Sequence, residues 1–133
     1  MIQVGETASL TKRFDESDVL KFAEISGDHN PVHVDPEFAA NTRFERQIVH
    51  GMLTAGMISA VLGMHLPGPG CIYLKQELNF RAPVYFGDTI TATVIVTKVR
   101  EDKPIVTLET ACTNQEGITV IDGTAILMVP REV

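Results

Sequence analysis

The segment from Asp28 to His33 carries residue types that can move protons. An aspartate can serve as a general base, and histidine changes its charge near neutral pH, so this pair could supply a base and an acid. Between them, Pro31 cannot continue a helix and pushes the residue before it towards extended geometry. We therefore expect a bend that lets the two side chains converge on one small pocket.

Water addition to a double bond conjugated to a carbonyl group is one reaction that such a pair could catalyse. It needs a base for the water, an acid for the carbon and donors for the developing enolate oxygen. Asp28 and His33 can supply the first two, and a neighbouring carboxylate favours the charged form of an imidazole. His50 and Gly51 begin an apolar segment, where the N–H groups of a helix start lack partners and the dipole favours negative charge. Glycine permits a close approach, so the Gly51 N–H is the candidate oxyanion donor.

Simpler interpretations of these residues stay open at this point. Asp28 and Asn30 are common turn and capping residues. His29 and His33 are four positions apart, as in some metal sites, but Pro31 breaks the helix that would align two imidazoles, so no metal is predicted.

Other reactive side chains also have simple interpretations. Ser59 lacks the G-x-S-x-G setting of a serine hydrolase, and Cys71 has no activating group beside it. His50 and His65 could be ordinary core or surface histidines.

Composition narrows the class of protein. The chain has 133 residues, enough for one domain with a core and too few for two, so the predicted domain covers 1–133. A net charge of −6 argues against nucleic acid, and no basic amphipathic face indicates a membrane surface. Two distant cysteines and an N-terminus without a signal-peptide pattern favour a cytoplasmic location.

Hydrophobic periodicity predicts an α+β fold around this segment. A strand is expected from Thr7 to Phe14, a helix from Asp15 to Ser26 that stops at Gly27, and a short helix after Asp35 and Pro36. Apolar residues on nearly every face predict a central, enclosed helix from Ile48 to Leu62. Strand patterns follow at 72–80, 89–100, 105–113 and 118–129, the last three forming an antiparallel meander. The simplest burial is a curved antiparallel sheet wrapped around the helix, with an edge or face that needs a partner chain.

The segment 28–33 resembles the D-x-N-P-x-H hydratase motif of the MaoC-like hot-dog proteins. The segments 22–27, 34–39, 48–53 and 80–88 are also similar to that family, so the resemblance covers nearly the whole chain. It is most similar to the short bacterial (R)-specific enoyl-CoA hydratases.

The resemblance implies a hot-dog fold, a homodimer with active sites near the interface, and no metal or redox cofactor, coenzyme A being part of the substrate. It also implies reversible syn addition of water to trans-2-enoyl-CoA. By position, Asp28 corresponds to the base and His33 to the acid of the catalytic pair. Gly51 corresponds to the oxyanion donor and Ser59 to a serine lining the site, while Asn30 is expected to orient the loop or the acid.

Two other functions and the details of substrate binding remain open. A hot-dog thioesterase would release free coenzyme A, and a non-catalytic module would bind acyl-CoA without turnover. Candidate acyl-pocket residues are Met57, Leu62 and Met64, but acyl chain length is not determined. Candidate contacts of the coenzyme A phosphates are Arg43, Arg46, Lys75 and Arg81.

Overall fold

The computed structural model describes residues 1–130, so the last three residues of the predicted domain, 131–133, lie outside the described residues. Within residues 1–130 the elements follow in the order β1 Thr7–Arg13, α1 Glu16–Ser26, α2 Pro31–Val34, α3 Pro36–Ala40, α4 Gly51–Met64, β2 Ile72–Phe80, β3 Thr89–Val99, β4 Ile105–Thr113 and β5 Thr119–Met128. No helix in this range is long and apolar enough to cross a lipid bilayer.

The five strands form one antiparallel sheet in the order β1-β3-β4-β5-β2. Strands β3, β4 and β5 pair in chain order, which confirms the predicted meander. Register shifts in three of the strand pairs mark bulges, which bend strands. Helix α4 packs against β3, β1 and β4. The α+β class, with a sheet wrapped around a long apolar helix, is confirmed.

The core lies between α4 and the inner face of the sheet. Alternate residues of β3 are buried because successive side chains of a strand point to opposite faces. They meet aliphatic side chains of α4, and burying each one contributes roughly 1.5–3 kcal/mol. The fully buried residues of the two elements include Ile58, Val61, Leu62, Ile90, Val94 and Val96.

The start of α4 differs from the prediction. The helix begins at Gly51, three residues after the predicted Ile48. Ile48 instead forms an isolated bridge with Tyr85, and the Val49 N–H donates to the carbonyl of Val84 at 2.8 Å. An apolar run has the same appearance in a buried strand and a buried helix, so periodicity could not place this boundary.

The prediction that α4 is enclosed on every face is wrong for the single chain. Met52, Gly56, Ser59 and Met64 are exposed, and the first three follow the spacing of one helix face. The apolar composition of this face is therefore not explained by burial within this chain.

The predicted loop contains one helical turn, α2. Pro31 occupies its first position, where the missing N–H is not needed for a helical hydrogen bond. Asn30 adopts φ −52° and ψ 124°, outside the helical region, as expected for a residue before proline. Gly27 ends α1 with φ 83° and Asp35 caps α3, as predicted, and Asp15 is the N-cap of α1. Helix α4 ends at Met64, two residues beyond the predicted Leu62.

Candidate active site

Three titratable side chains meet where α1, α2 and α4 approach one another. Candidate donor atoms of Asp28, His33 and His50 all lie within 4.8 Å of one another. His33 is 8% exposed and His50 is 1% exposed, whereas Asp28 is open to solvent. The fold therefore brings the two residues of the predicted pair together, with a third titratable residue beside them.

Hydrogen bonds within the turn hold Asp28 and His33 in place. Gly27 ends α1 and turns the chain, and the Asn30 N–H donates to Oδ1 of Asp28 at 3.1 Å. Oδ1 of Asn30 accepts from the Val32 N–H at 3.3 Å, and its carbonyl accepts from the His33 N–H at 2.9 Å. Asn30 thus caps the turn that carries His33 and touches the residue that carries the carboxylate.

The chain before α4 orients the His33 ring. Nδ1 of His33 lies 2.7 Å from the carbonyl oxygen of Ile48. A carbonyl can only accept, so Nδ1 carries a proton and Nε2 is left for chemistry. The Gln47 side chain donates to the His33 carbonyl at 2.8 Å. Gln47 and Ile48 were not predicted from the sequence, because each contacts a residue about 15 positions away and no local pattern indicates that.

The pKa of the His33 imidazole is lowered from its ordinary value. Burial is the largest cause, and proximity to His50 lowers the pKa further. The Ile48 carbonyl and the Asp28 carboxylate act in the opposite direction but do not outweigh burial. The Asp28 carboxylate thus favours the charged imidazole, as expected, but burial has the larger effect and the net shift of the His33 pKa is downward.

We expect His33 to titrate below the ordinary histidine pKa of about 6.5. Asp28→Asn is expected to lower the His33 pKa further, since it removes one of the effects that raise it. The folded state then loses stability as the pH falls from about 6.5, because the unfolded chain binds the proton first. NMR titration of the ring protons checks this, with His33→Gln identifying the resonance. A pKa at or above the ordinary value would contradict the expectation.

A cavity of about 310 Å³ extends from His33 to the start of α4. Gly51 also lines it, and as the first residue of the helix it has an N–H without a partner inside the helix. A Cβ on Gly51 would lie 2.6 Å from Cε1 of Phe80, so only glycine fits there without displacing the ring. Arg43 and Arg81 are also among the described lining residues.

The remaining predicted site residues lie elsewhere in this chain. Ser59 is exposed, about two helical turns beyond Gly51. Met57 and Leu62 belong to the hydrophobic core, and Met64 is 66% exposed. None of these four is among the described residues that line the cavity, so their assignment to the site stays a prediction.

The geometry of the two histidines disfavours a metal ion. Their rings stack with centroids 3.9 Å apart and an angle of 27° between the planes. The two imidazoles are thus in face-to-face contact, whereas the ligands of a zinc site surround the ion tetrahedrally. One nitrogen of each ring is also close to a backbone carbonyl, Nδ1 of His33 to Ile48 and Nε2 of His50 to Asp28.

Comparison with known proteins gives the family of this chain. The family model of the MaoC like domain matches residues 3–117. The chain belongs to the MaoC-like domain family. The family assignment made from the D-x-N-P-x-H segment and its flanks is thereby confirmed.

Similar MaoC-like proteins align over nearly their whole length. The chain is 52% identical over 129 residues to the (R)-specific enoyl-CoA hydratase of Aeromonas caviae, covering 97% of this chain and 96% of that protein. It is 54% identical over 129 residues to the (R)-specific enoyl-CoA hydratase of Rhodospirillum rubrum, covering 97% and 89%. The solved structure of an (R)-hydratase from A. caviae involved in PHA biosynthesis superposes with a TM-score of 0.95 over 97% of this chain and 98% of that one, at 52% identity.

Proposed function

We infer that this chain is an (R)-specific enoyl-CoA hydratase, which reversibly adds water to trans-2-enoyl-CoA and forms (R)-3-hydroxyacyl-CoA. The observation that carries the inference is the convergence of Asp28 with His33, a residue that lines the same cavity as Gly51. A base, an acid and an oxyanion donor are the groups that the reaction needs. The full-length similarity to two (R)-specific enoyl-CoA hydratases supports the same reaction.

In the proposed mechanism, the thioester oxygen accepts a hydrogen bond from the Gly51 N–H. Asp28 takes a proton from a water molecule held between it and His33, and the water oxygen attacks C3. Protonated His33 gives its Nε2 proton to C2 on the same face, so water has added to the double bond. The pair is reset when the proton on Asp28 returns to His33 through solvent. Dehydration is the reverse.

The buried environment of the His33 ring affects its role as the acid in two ways. Burial makes protonated His33 a stronger acid, because the pKa of the imidazole is lowered. The same effect decreases the protonated fraction at neutral pH. Solvent exposure of Asp28 provides the route by which the pair regains its proton.

The reaction involves no net oxidation or reduction, so we propose that it needs no cofactor beyond the coenzyme A of the substrate. We propose a cytoplasmic location, consistent with the free thiols of Cys71 and Cys112. We also propose that residues 1–133 form one domain.

The test is to mix purified protein with crotonyl-CoA and hexenoyl-CoA and follow the loss of enoyl-thioester absorbance. We expect the absorbance to fall and chiral chromatography to identify the (R)-3-hydroxy product. Free coenzyme A without hydration would select a thioesterase, and binding without turnover would select a non-catalytic module. A series of longer enoyl-CoA substrates would determine the acyl chain length.

We propose that the chain forms a homodimer through β2 and the exposed face of α4. β2 is an edge strand, whose unpaired N–H and C=O groups can pair with a second copy. Apolar side chains are unusually exposed along these two elements, notably Met52 at 59%, Ile72 at 55% and Phe80 at 54%. A second copy would cover them and enclose the helix that the sequence predicts to be buried.

We expect light scattering to give twice the chain mass of 14.6 kDa. Ile72→Lys is expected to shift the protein towards the monomer by placing a charge in the interface. Ile25→Lys is the matched control, since Ile25 is 87% exposed on α1. A monomeric wild-type protein, or equal dissociation of both variants, would contradict the proposed interface.

Arg43 is the candidate in the cavity lining for binding the coenzyme A phosphates. It is exposed and lies over the Phe44 ring, whereas Arg81 is already paired with Asp122 at 3.1 Å. We expect Arg43→Ala to raise the KM for enoyl-CoA about fivefold, the equivalent of roughly 1 kcal/mol for an exposed ionic contact. Enoyl-pantetheine, which lacks the nucleotide phosphates, should be unaffected by the change. Arg100→Ala is the control, because Arg100 is not among the described residues that line the cavity. An equal effect of Arg43→Ala on both substrates would exclude a phosphate contact.

A further inference from the structure

We propose that His50 is a positioning residue for the hydratase reaction, holding Asp28 and His33 at the separation that one water molecule can bridge. The proposal rests on the proposed function. His50 takes no part in the proposed proton transfers, and its side chain is almost completely buried.

The first contact joins His50 to the backbone of the base. Nε2 of His50 lies 3.0 Å from the carbonyl oxygen of Asp28, 22 positions earlier in the chain. The carbonyl can only accept, so Nε2 of His50 carries the proton. This hydrogen bond connects the exposed turn after α1 to the start of α4. Apart from this hydrogen bond, the described backbone hydrogen bonds of the turn are mainly to residues close by in the chain.

The second contact joins His50 to the acid. The two imidazole rings stack at 3.9 Å, and the Phe22 ring lies 4.7 Å from His50 at an angle of 57°. His50 therefore provides a flat wall against which the His33 ring rests. The carbonyl of Ile48 fixes the rotation of the His33 ring through Nδ1, and the His50 wall restricts its tilt.

The third connection, between His50 and Gly51, is the peptide bond of the chain itself. His50 is the N-cap residue of α4 and directly precedes Gly51, the proposed oxyanion donor, but its side chain makes no capping hydrogen bond. Nδ1 of His50 is buried and has no hydrogen-bond partner among residues 1–130. A buried acceptor without a partner destabilises the fold, so helix capping and core packing do not account for a histidine here. Contact with all three proposed catalytic groups does account for it.

The kinetic test compares two variants that separate the ring from the donor. His50→Phe keeps a ring against His33 and removes the hydrogen bond to Asp28, so we expect kcat to fall about 100-fold with KM nearly unchanged. His50→Gln can keep an N–H donor to that carbonyl and should recover part of the loss. His65→Gln, the same substitution at an exposed histidine, should leave kcat unchanged. Wild-type kcat in His50→Phe, or an equal loss of kcat in His65→Gln, would overturn the proposal.

A measurement on the wild-type protein tests the proposal independently of whether the variants fold. Two-bond nitrogen–proton couplings report which ring nitrogen of a neutral histidine carries the proton. We expect opposite tautomers, with the proton on Nε2 in His50 and on Nδ1 in His33. A proton on Nδ1 in His50 would exclude its bond to Asp28 and overturn the proposal. Failure of the wild-type protein to hydrate enoyl-CoA would instead overturn the proposed function.

Discussion

Replacement of Asp28 by asparagine is expected to lower kcat for enoyl-CoA hydration by about 10²- to 10⁴-fold, the usual contribution of a general base or acid. His33→Gln is expected to have an effect of similar size. Asparagine cannot take a proton from water, but its side-chain oxygen can still accept from the Asn30 N–H, so the turn should persist. Glutamine cannot donate the proton that C2 needs. Steady-state kinetics with crotonyl-CoA measures both losses.

His29→Gln is the matched control for these two variants, because His29 is exposed and adjacent to Asp28. It should retain wild-type kcat, and circular dichroism should show that all three variants are folded at the assay temperature. The double variant Asp28→Asn/His33→Gln should be little slower than either single variant, since two groups that act on one water are not additive. Near-normal turnover in either single variant would contradict the assigned roles.

Gly51→Ala is expected to lower kcat/KM by about 100-fold or more, because the added methyl group occupies the space that the thioester needs beside the N–H. The new Cβ would also lie 2.6 Å from Cε1 of Phe80, so the ring must move. Phe80 is 54% exposed in the single chain but lies in the proposed dimer interface, so light scattering must show that Gly51→Ala is still dimeric. Saturation kinetics over a range of crotonyl-CoA concentrations measures the effect.

Gly63→Ala is the matched control in the same helix. A Cβ there meets no described atom within 4 Å, and alanine favours the helix by roughly 0.8–1 kcal/mol relative to glycine. We expect this variant to be active and at least as stable as the wild type.

In Gly51→Ala/Phe80→Ala the clash is removed but the methyl group remains, so activity should stay low. Full activity in that double variant would mean that Gly51 serves packing against Phe80 alone.

Local chemistry made most of the elements predictable. Gly27 and Asp35 act through hydrogen bonds and backbone conformations within a few residues of themselves, so their positions alone indicate helix ends. The strand patterns are likewise local, because alternation along one strand records which face is buried. The start of α4 was misplaced because Ile48 and Val49 are buried by pairing with a distant segment, 84–85, which the local pattern does not record.

The sequence by itself determined the fold class, the family and the candidate pair Asp28 and His33, because the turn between them is specified within six consecutive residues. Only the tertiary structure decided the orientation of the acid, the direction of its pKa shift and the residues around the pair. The carbonyl of Ile48 orients the acid, burial outweighs the carboxylate in setting the direction of its pKa shift, and His50 lies against it. The physical reason is that burial and hydrogen bonding to distant backbone atoms depend on which segments meet in space.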